Sequence, residues 1–154
     1  MVRISTTLLF SVLMLAVMML AGAASASATP GVVTTTPQIR AAAAKAAIAK
    51  VGSRYAAGSA GPRRFDCSGL VTFAYRVAKH PLLGRTSFEL FTHGARIRRT
   101  ALQPGDLVWT WDRTLGHVGI YVGGGRYAHA PGKGRNVELA LLPTGRDYLG
   151  AVRP

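Results

Sequence analysis

Two kinds of side chain are scarce in this 154-residue chain: there is one cysteine, Cys67, and only 6 Asp and Glu stand against 19 Lys and Arg. A lone cysteine excludes an internal disulfide framework, so its thiol is spare, intermolecular or reactive. The shortage of acids leaves a formal charge of +13, and such a field attracts polyanions. No aromatic-basic stripe or nucleic-acid reading motif accompanies that charge, which argues against a nucleic-acid binder. Internal repeats are also missing, and the length leaves room for one domain.

Charge is absent from Ile4 to Ile39. Arg3 precedes an apolar run, Leu8 to Ala21, broken only by Ser11, and small residues follow at A-x-A spacing up to Ala28. This is the pattern of an export signal. Its strongly apolar part is shorter than the ~20 residues a membrane span needs, so cleavage after Ala26 or Ala28 is expected, with an uncleaved membrane anchor as the rival. No cysteine follows the run, so a lipid-modified amino terminus is not expected. The expected organisation is a signal peptide or anchor over 1–28, a linker over 29–36 and one folded domain over 37–154. A secreted or wall-associated chain of this charge meets anionic wall polymers or lipid headgroups, and a monomer is expected.

The apolar pattern predicts helices first. One runs from about Pro37 to Lys50, capped by Thr36, with Ala44, Ile48 and Val51 on its inner face. A second starts after Asp66, a good cap, with Leu70, Phe73, Ala74 and Val77 recurring at i, i+3, i+4 and i+7. A third fits Ser87 to His93, with Thr86 and Glu89 forming a capping box. Beyond the turn at Gln103-Pro104-Gly105-Asp106 the pattern changes to strands: Leu107–Trp111, His117–Val122, Tyr127–Ala130, Asn136–Leu141 and Tyr148–Val152. Helices followed by strands predict an α+β domain with an antiparallel sheet.

Cys67 falls in the first turn of the second helix, where free N–H groups and the helix dipole favour a thiolate. That position predicts a low thiol pKa and fast alkylation. A nucleophilic thiol needs a base, usually imidazole. His80 and His93 end helices, an ordinary place for a cationic ring. His117 and His129 lie on strands; if Gly123-Gly124-Gly125 forms the turn, Gly119 pairs with His129, and His117 becomes its diagonal neighbour on one face. A zinc site of two histidines and a thiolate is the rival, but no fourth ligand is evident. Trp109 and Trp111 alternate with Val108 and Thr110, so they share a face; packing is expected, with a place flanking the cleft as the alternative.

Phe65-Asp66-Cys67-Ser68-Gly69-Leu70-Val71 resembles the nucleophile motif of the NlpC/P60 peptidases. Pro104-Gly105-Asp106-Leu107-Val108 is similar to that family's turn into the sheet. His117-Val118-Gly119-Ile120-Tyr121-Val122 resembles its base motif, and His129-Ala130-Pro131 its third-residue motif. Gly84-Arg85-Thr86-Ser87 resembles the segment between helices, although a proline commonly stands where Gly84 does. The resemblance covers about Ala41 to the end. It implies a papain-like α+β fold with N-terminal helices on an antiparallel sheet. It also implies a thiol peptidase acting on peptidoglycan stem peptides, at a bond next to D-glutamate. Cys67 would be the nucleophile, His117 the general base and acid, and His129 the orienting partner. Tyr55, Asp66, Ser68 and Arg85 would line the cleft, with Tyr55 and the Cys67 backbone N–H as oxyanion donors. No metal or organic cofactor is implied. The alternatives are a non-catalytic cationic wall-binding protein, or an amidase or acyltransferase of the same fold acting on another amide.

Overall fold

The computed structural model describes residues 35–154. The expected export segment, and the expected linker as far as residue 34, lie outside the described residues. Thr35 donates through both its N–H and its hydroxyl to the Pro154 carbonyl, so packing begins two residues before the expected domain start at Pro37.

Helix α1 spans Pro37–Ile48, with the Thr36 hydroxyl accepting from the Ile39 N–H. Its inner face keeps only Ala44 of the three expected residues. Arg40, Ala43, Ala44 and Ala47 are buried, whereas Ile48 and Val51 are exposed. An alanine-rich helix carries little hydropathic bias, and its small side chains let it lie close against its neighbour. Arg40 turns inward because acceptors wait there: the Thr35 carbonyl and Gln103 Oε1, with Asp106 beside them.

Two short strands, β1 (Arg54–Tyr55) and β2 (Arg64–Phe65), pair in parallel. They escape a pattern reading because two residues carry no period. Helix α2 follows at Cys67–Val77 with Asp66 as its cap, Oδ1 accepting from the Gly69 N–H. Leu70 and Ala74 are buried as expected. The stripe, however, turns toward Val71 and Tyr75 and leaves Val77 exposed; the Tyr75 hydroxyl donates to the Gly105 carbonyl at 2.7 Å. Helix α3, Ser87–Thr92, has both halves of the Thr86/Glu89 capping box.

Strands β3 (Ala95–Ile97), β4 (Leu107–Thr110), β5 (Val118–Gly123), β6 (Arg126–His129), β7 (Glu138–Leu141) and β8 (Tyr148–Arg153) form one antiparallel sheet in the order β3-β8-β4-β5-β6-β7. The helices cover one face. There Ala43, Ala47, Val71, Ala74 and Tyr75 meet Leu107, Trp109, Val118, Ile120, Ala128 and Val152. The opposite face gathers Val108, Tyr127, Leu142 and Ala151. Asp106, fully buried, locks the entry to β4 onto β8: Arg153 donates to both of its oxygens at 2.8 Å. The architecture is α+β, and its purpose for the site is plain: it brings the start of α2 against the start of β5.

Candidate active site

Cys67 is the first residue of α2, and its sulfur points at the sheet. Sγ lies 3.6 Å from the Gly116 carbonyl, and the Val118 N–H also reaches it. The thiol is therefore bracketed by the two backbone neighbours of His117. Within the hairpin, Ile120 pairs with Ala128 and Tyr121 with Tyr127, a register that sets Gly119 opposite His129. His117 Nε2 and His129 Nδ1 meet at 3.0 Å. His129 is fully buried and His117 nearly so. The other nitrogen of His129, Nε2, faces Glu138 Oε1 at 3.4 Å across the β6–β7 pairing, and Arg135 holds that carboxylate at 2.6 Å.

Gly119 is needed for space against the neighbouring strand. A Cβ there would stand 2.5 Å from the Tyr127 ring and 2.8 Å from the Ala128 carbonyl. Tyr127 in turn stacks on His129 with centroids 4.6 Å apart.

Asp66, Ser68 and Arg85 form one cluster. Arg85 Nη1 and Nη2 donate to the two Asp66 oxygens at 3.2 and 2.9 Å, and Nη1 donates to Ser68 Oγ at 2.9 Å. Ser68 donates to Asp66 Oδ1 at 3.2 Å. Tyr55, half-buried on β1, is close enough for burial and the charges of Cys67 and Asp66 to push its phenol up.

The electrostatics overturn one expectation. Burial pushes the Cys67 thiol up from its ordinary value; N–H groups pull against this, but the Asp66 carboxylate adds to the rise. Desolvation of the charged form here exceeds the stabilisation that a helix start offers. Both imidazoles move the other way. His117 is pushed down to about 4, by burial first and by His129 second, with Asp112 opposing. His129 also falls to about 4, through burial and then Arg135. At neutral pH the resting site therefore holds a thiol and two neutral rings.

Residues 52–146 match the model of the NlpC/P60 family. The chain belongs to that family. It is 38% identical over 113 residues to the murein DD-endopeptidase MepH of Escherichia coli, covering 68% of this chain and 42% of that one. A probable endopeptidase of Mycobacterium tuberculosis is 40% identical over 115 residues, 74% of this chain and 29% of that one. Solved structures of the Resuscitation Promoting Factor Interacting protein RipA, mutated in turn at a histidine, a cysteine and a glutamate, superpose with TM-scores of 0.66 to 0.67 at 25–26% identity. They cover 75% of this chain and 61–62% of that chain. This NlpC/P60 chain thus spans less than half the length of the curated relatives it matches.

Two neighbours of the site are not legible in the sequence, and a third, Trp111, is legible only as an alternative. Gly116 supplies a backbone carbonyl, which no side-chain motif advertises. Glu138 reaches His129 only through the β6–β7 register. Of the two tryptophans, Trp109 packs in the core as expected, whereas Trp111 takes the alternative place beside the cleft, 44% exposed and stacked on His117 at 4.9 Å.

Proposed function

We propose that this NlpC/P60 domain is an exported thiol peptidase that hydrolyses an amide bond next to D-glutamate in peptidoglycan stem peptides. The observation that carries the reading is the placing of the Cys67 sulfur against residues 116 and 118, with His117 between them and bonded to His129. In RipA the mutated histidine and glutamate stand twelve residues apart, the interval between His117 and His129.

In the reaction, the thiol gives up its contact with the Gly116 carbonyl and turns its proton to the neighbouring His117. Nε2 of that ring is engaged with His129, so Nδ1 takes the thiol proton as sulfur bonds to the carbonyl carbon. The oxyanion is met by the Cys67 N–H, which has no partner within the helix, and by the Tyr55 hydroxyl. Collapse breaks the C–N bond, and His117 returns its proton to the leaving amine. Water, deprotonated by His117, then attacks the thioester, releasing the acid and restoring the thiol. The lowered imidazole pKa keeps the base neutral at rest, and a protonated thiol makes proton transfer part of the attack.

A second reading of the bond comes from MepH, whose name specifies a DD-endopeptidase. Digesting defined muropeptides and weighing the fragments separates the two: a new amine on the diamino acid with free γ-carboxyl on glutamate supports the first, and cleavage only at the crosslink supports the second.

The excess charge supports anchoring to phosphate-bearing wall polymers or headgroups. Arg54 and Arg64 lie directly opposite on β1 and β2, an unfavourable pairing of like charges. Arg63 and Arg64 line a depression with Ser59, Gly61 and Pro62. Among the described residues, no ion pair involves any of these arginines.

A further inference from the structure

Trp111 sits where neither backbone nor solvent favours it. Its φ is +61°, a region that bulky L residues avoid. The Asp112 N–H donates to the Thr110 carbonyl at 2.7 Å, closing a three-residue γ-turn around Trp111, and the positive-φ form of that turn is strained. Strand alternation would have sent the indole to the core beside Trp109. The turn takes the indole out of that pattern, and the Trp111 backbone N–H donates to the Asp147 carbonyl at 2.9 Å. A large apolar ring is left 44% exposed.

What the ring gains is the face of His117. The two planes are 23° apart at a centroid distance of 4.9 Å, an offset stack. The same indole presents itself at 62° to His129, 5.1 Å away. Strain of this kind persists where the surroundings fix it and where it serves the site. We infer that Trp111 is a positioning residue, a fixed wall that holds the His117 ring in the plane from which it can serve the thiol. This inference rests on the reading of His117 as the general base.

The reasoning is mechanical. The Nε2 bond to His129 is one point of attachment, and the ring can still swing about it. The indole removes that freedom on one face and keeps water from that face. Around the ring the other titratable groups are His129 on β6, Asp112 in the β4–β5 connection and Cys67 on α2. None of them replaces an apolar wall.

The test compares Trp111→Ala and Trp111→Phe with the native chain. On a cleaved muropeptide, Trp111→Ala should lower kcat by about ten- to a hundredfold, the size of effect that a small misplacement of a catalytic group produces, with KM little changed. Its acid limb should move to higher pH, because a hydrated imidazole protonates more readily. Trp111→Phe, which keeps a stacking face, should restore most of kcat. The same substitutions in the inactive Cys67→Ala chain give a readout independent of peptidase activity: by NMR titration, Trp111→Ala should move the His117 midpoint up toward the ordinary value. An unmoved His117 midpoint overturns the inference whatever the activity. A raised KM at constant kcat overturns it too, making the indole a substrate wall. If the native chain cleaves no muropeptide while the midpoint moves as expected, the stack stands and the peptidase reading falls.

Discussion

The Asp66 carboxylate accepts from the Gly69 N–H, from Ser68 and twice from Arg85, while its backbone N–H donates to the Ser59 carbonyl at 2.8 Å. Asp66 thus caps α2 and fixes Arg85 through its side chain, and ties down the loop ahead of Cys67 through its backbone. The same charge lies next to a thiol already raised by burial, so a protonated sulfur is the resting form. Iodoacetamide should therefore label Cys67 more slowly than glutathione at pH 7, with a rate that climbs only above the pH where a free thiol ionises. The dipole argument alone gives the opposite order. Asp66→Asn should accelerate labelling, since asparagine still caps the helix but carries no charge. Labelling faster than glutathione in the native chain would contradict the account of the sulfur's surroundings.

Each ring of the β5–β6 hairpin is held by the next. Tyr127 fills the space above Gly119 and stacks on His129, whose Nδ1 meets His117. Gly119→Ala should therefore displace Tyr127 and, through it, the bond between the imidazoles. Overpacking of this kind costs about 1–3 kcal/mol, to be read as a lower Tm together with a shifted His129 ring resonance. An unchanged Tm and resonance would show that the ring can move aside freely. The hairpin and the start of α2 could be read from the chain because their determinants are local: a cap at Asp66, alternation through β5, three glycines in the turn. The inner face of α1 could not, because its alanines give hydropathy nothing to grip and Arg40 answers to partners far along the chain. Strand β3 was missed for a similar reason: its three residues are defined by pairing with β8. Periodicity favoured packing over the cleft flank for Trp111 because its turn is pinned by Asp147, a partner 36 residues away that no pattern anticipates. The motif residues Asp66, Ser68 and Arg85 were all named, but their binding to one another is visible only in three dimensions.

Acidification should act on the domain as a unit. His117 and His129 are held near 4 in the folded state, below their ordinary 6.5, so the unfolded chain binds protons first. Their contribution is complete above about pH 6.5 and is lost as pH falls toward 4, below which it is level. One histidine shifted so far is worth about 3 kcal/mol, and the pair, being coupled, is worth less than twice that. Urea midpoints should fall between pH 6.5 and 4; a constant midpoint over that range would contradict the buried neutral pair. The scarce acids matter on the same terms. Asp106 is buried under Arg153, Glu138 serves Arg135 and faces His129, and Asp66 serves Arg85, and among the described residues Arg54, Arg63 and Arg64 on the outer surface join no ion pair. Retention on a phosphate-bearing polymer should accordingly weaken as salt rises; retention independent of salt would remove charge as the anchor. The account depends most on the sulfur of Cys67 acting as the nucleophile. Its most direct test is muropeptide cleavage by native protein and by Cys67→Ala, followed by mass spectrometry. The account predicts cleaved stem peptide from the first and none from the second; equal cleavage by both would contradict it.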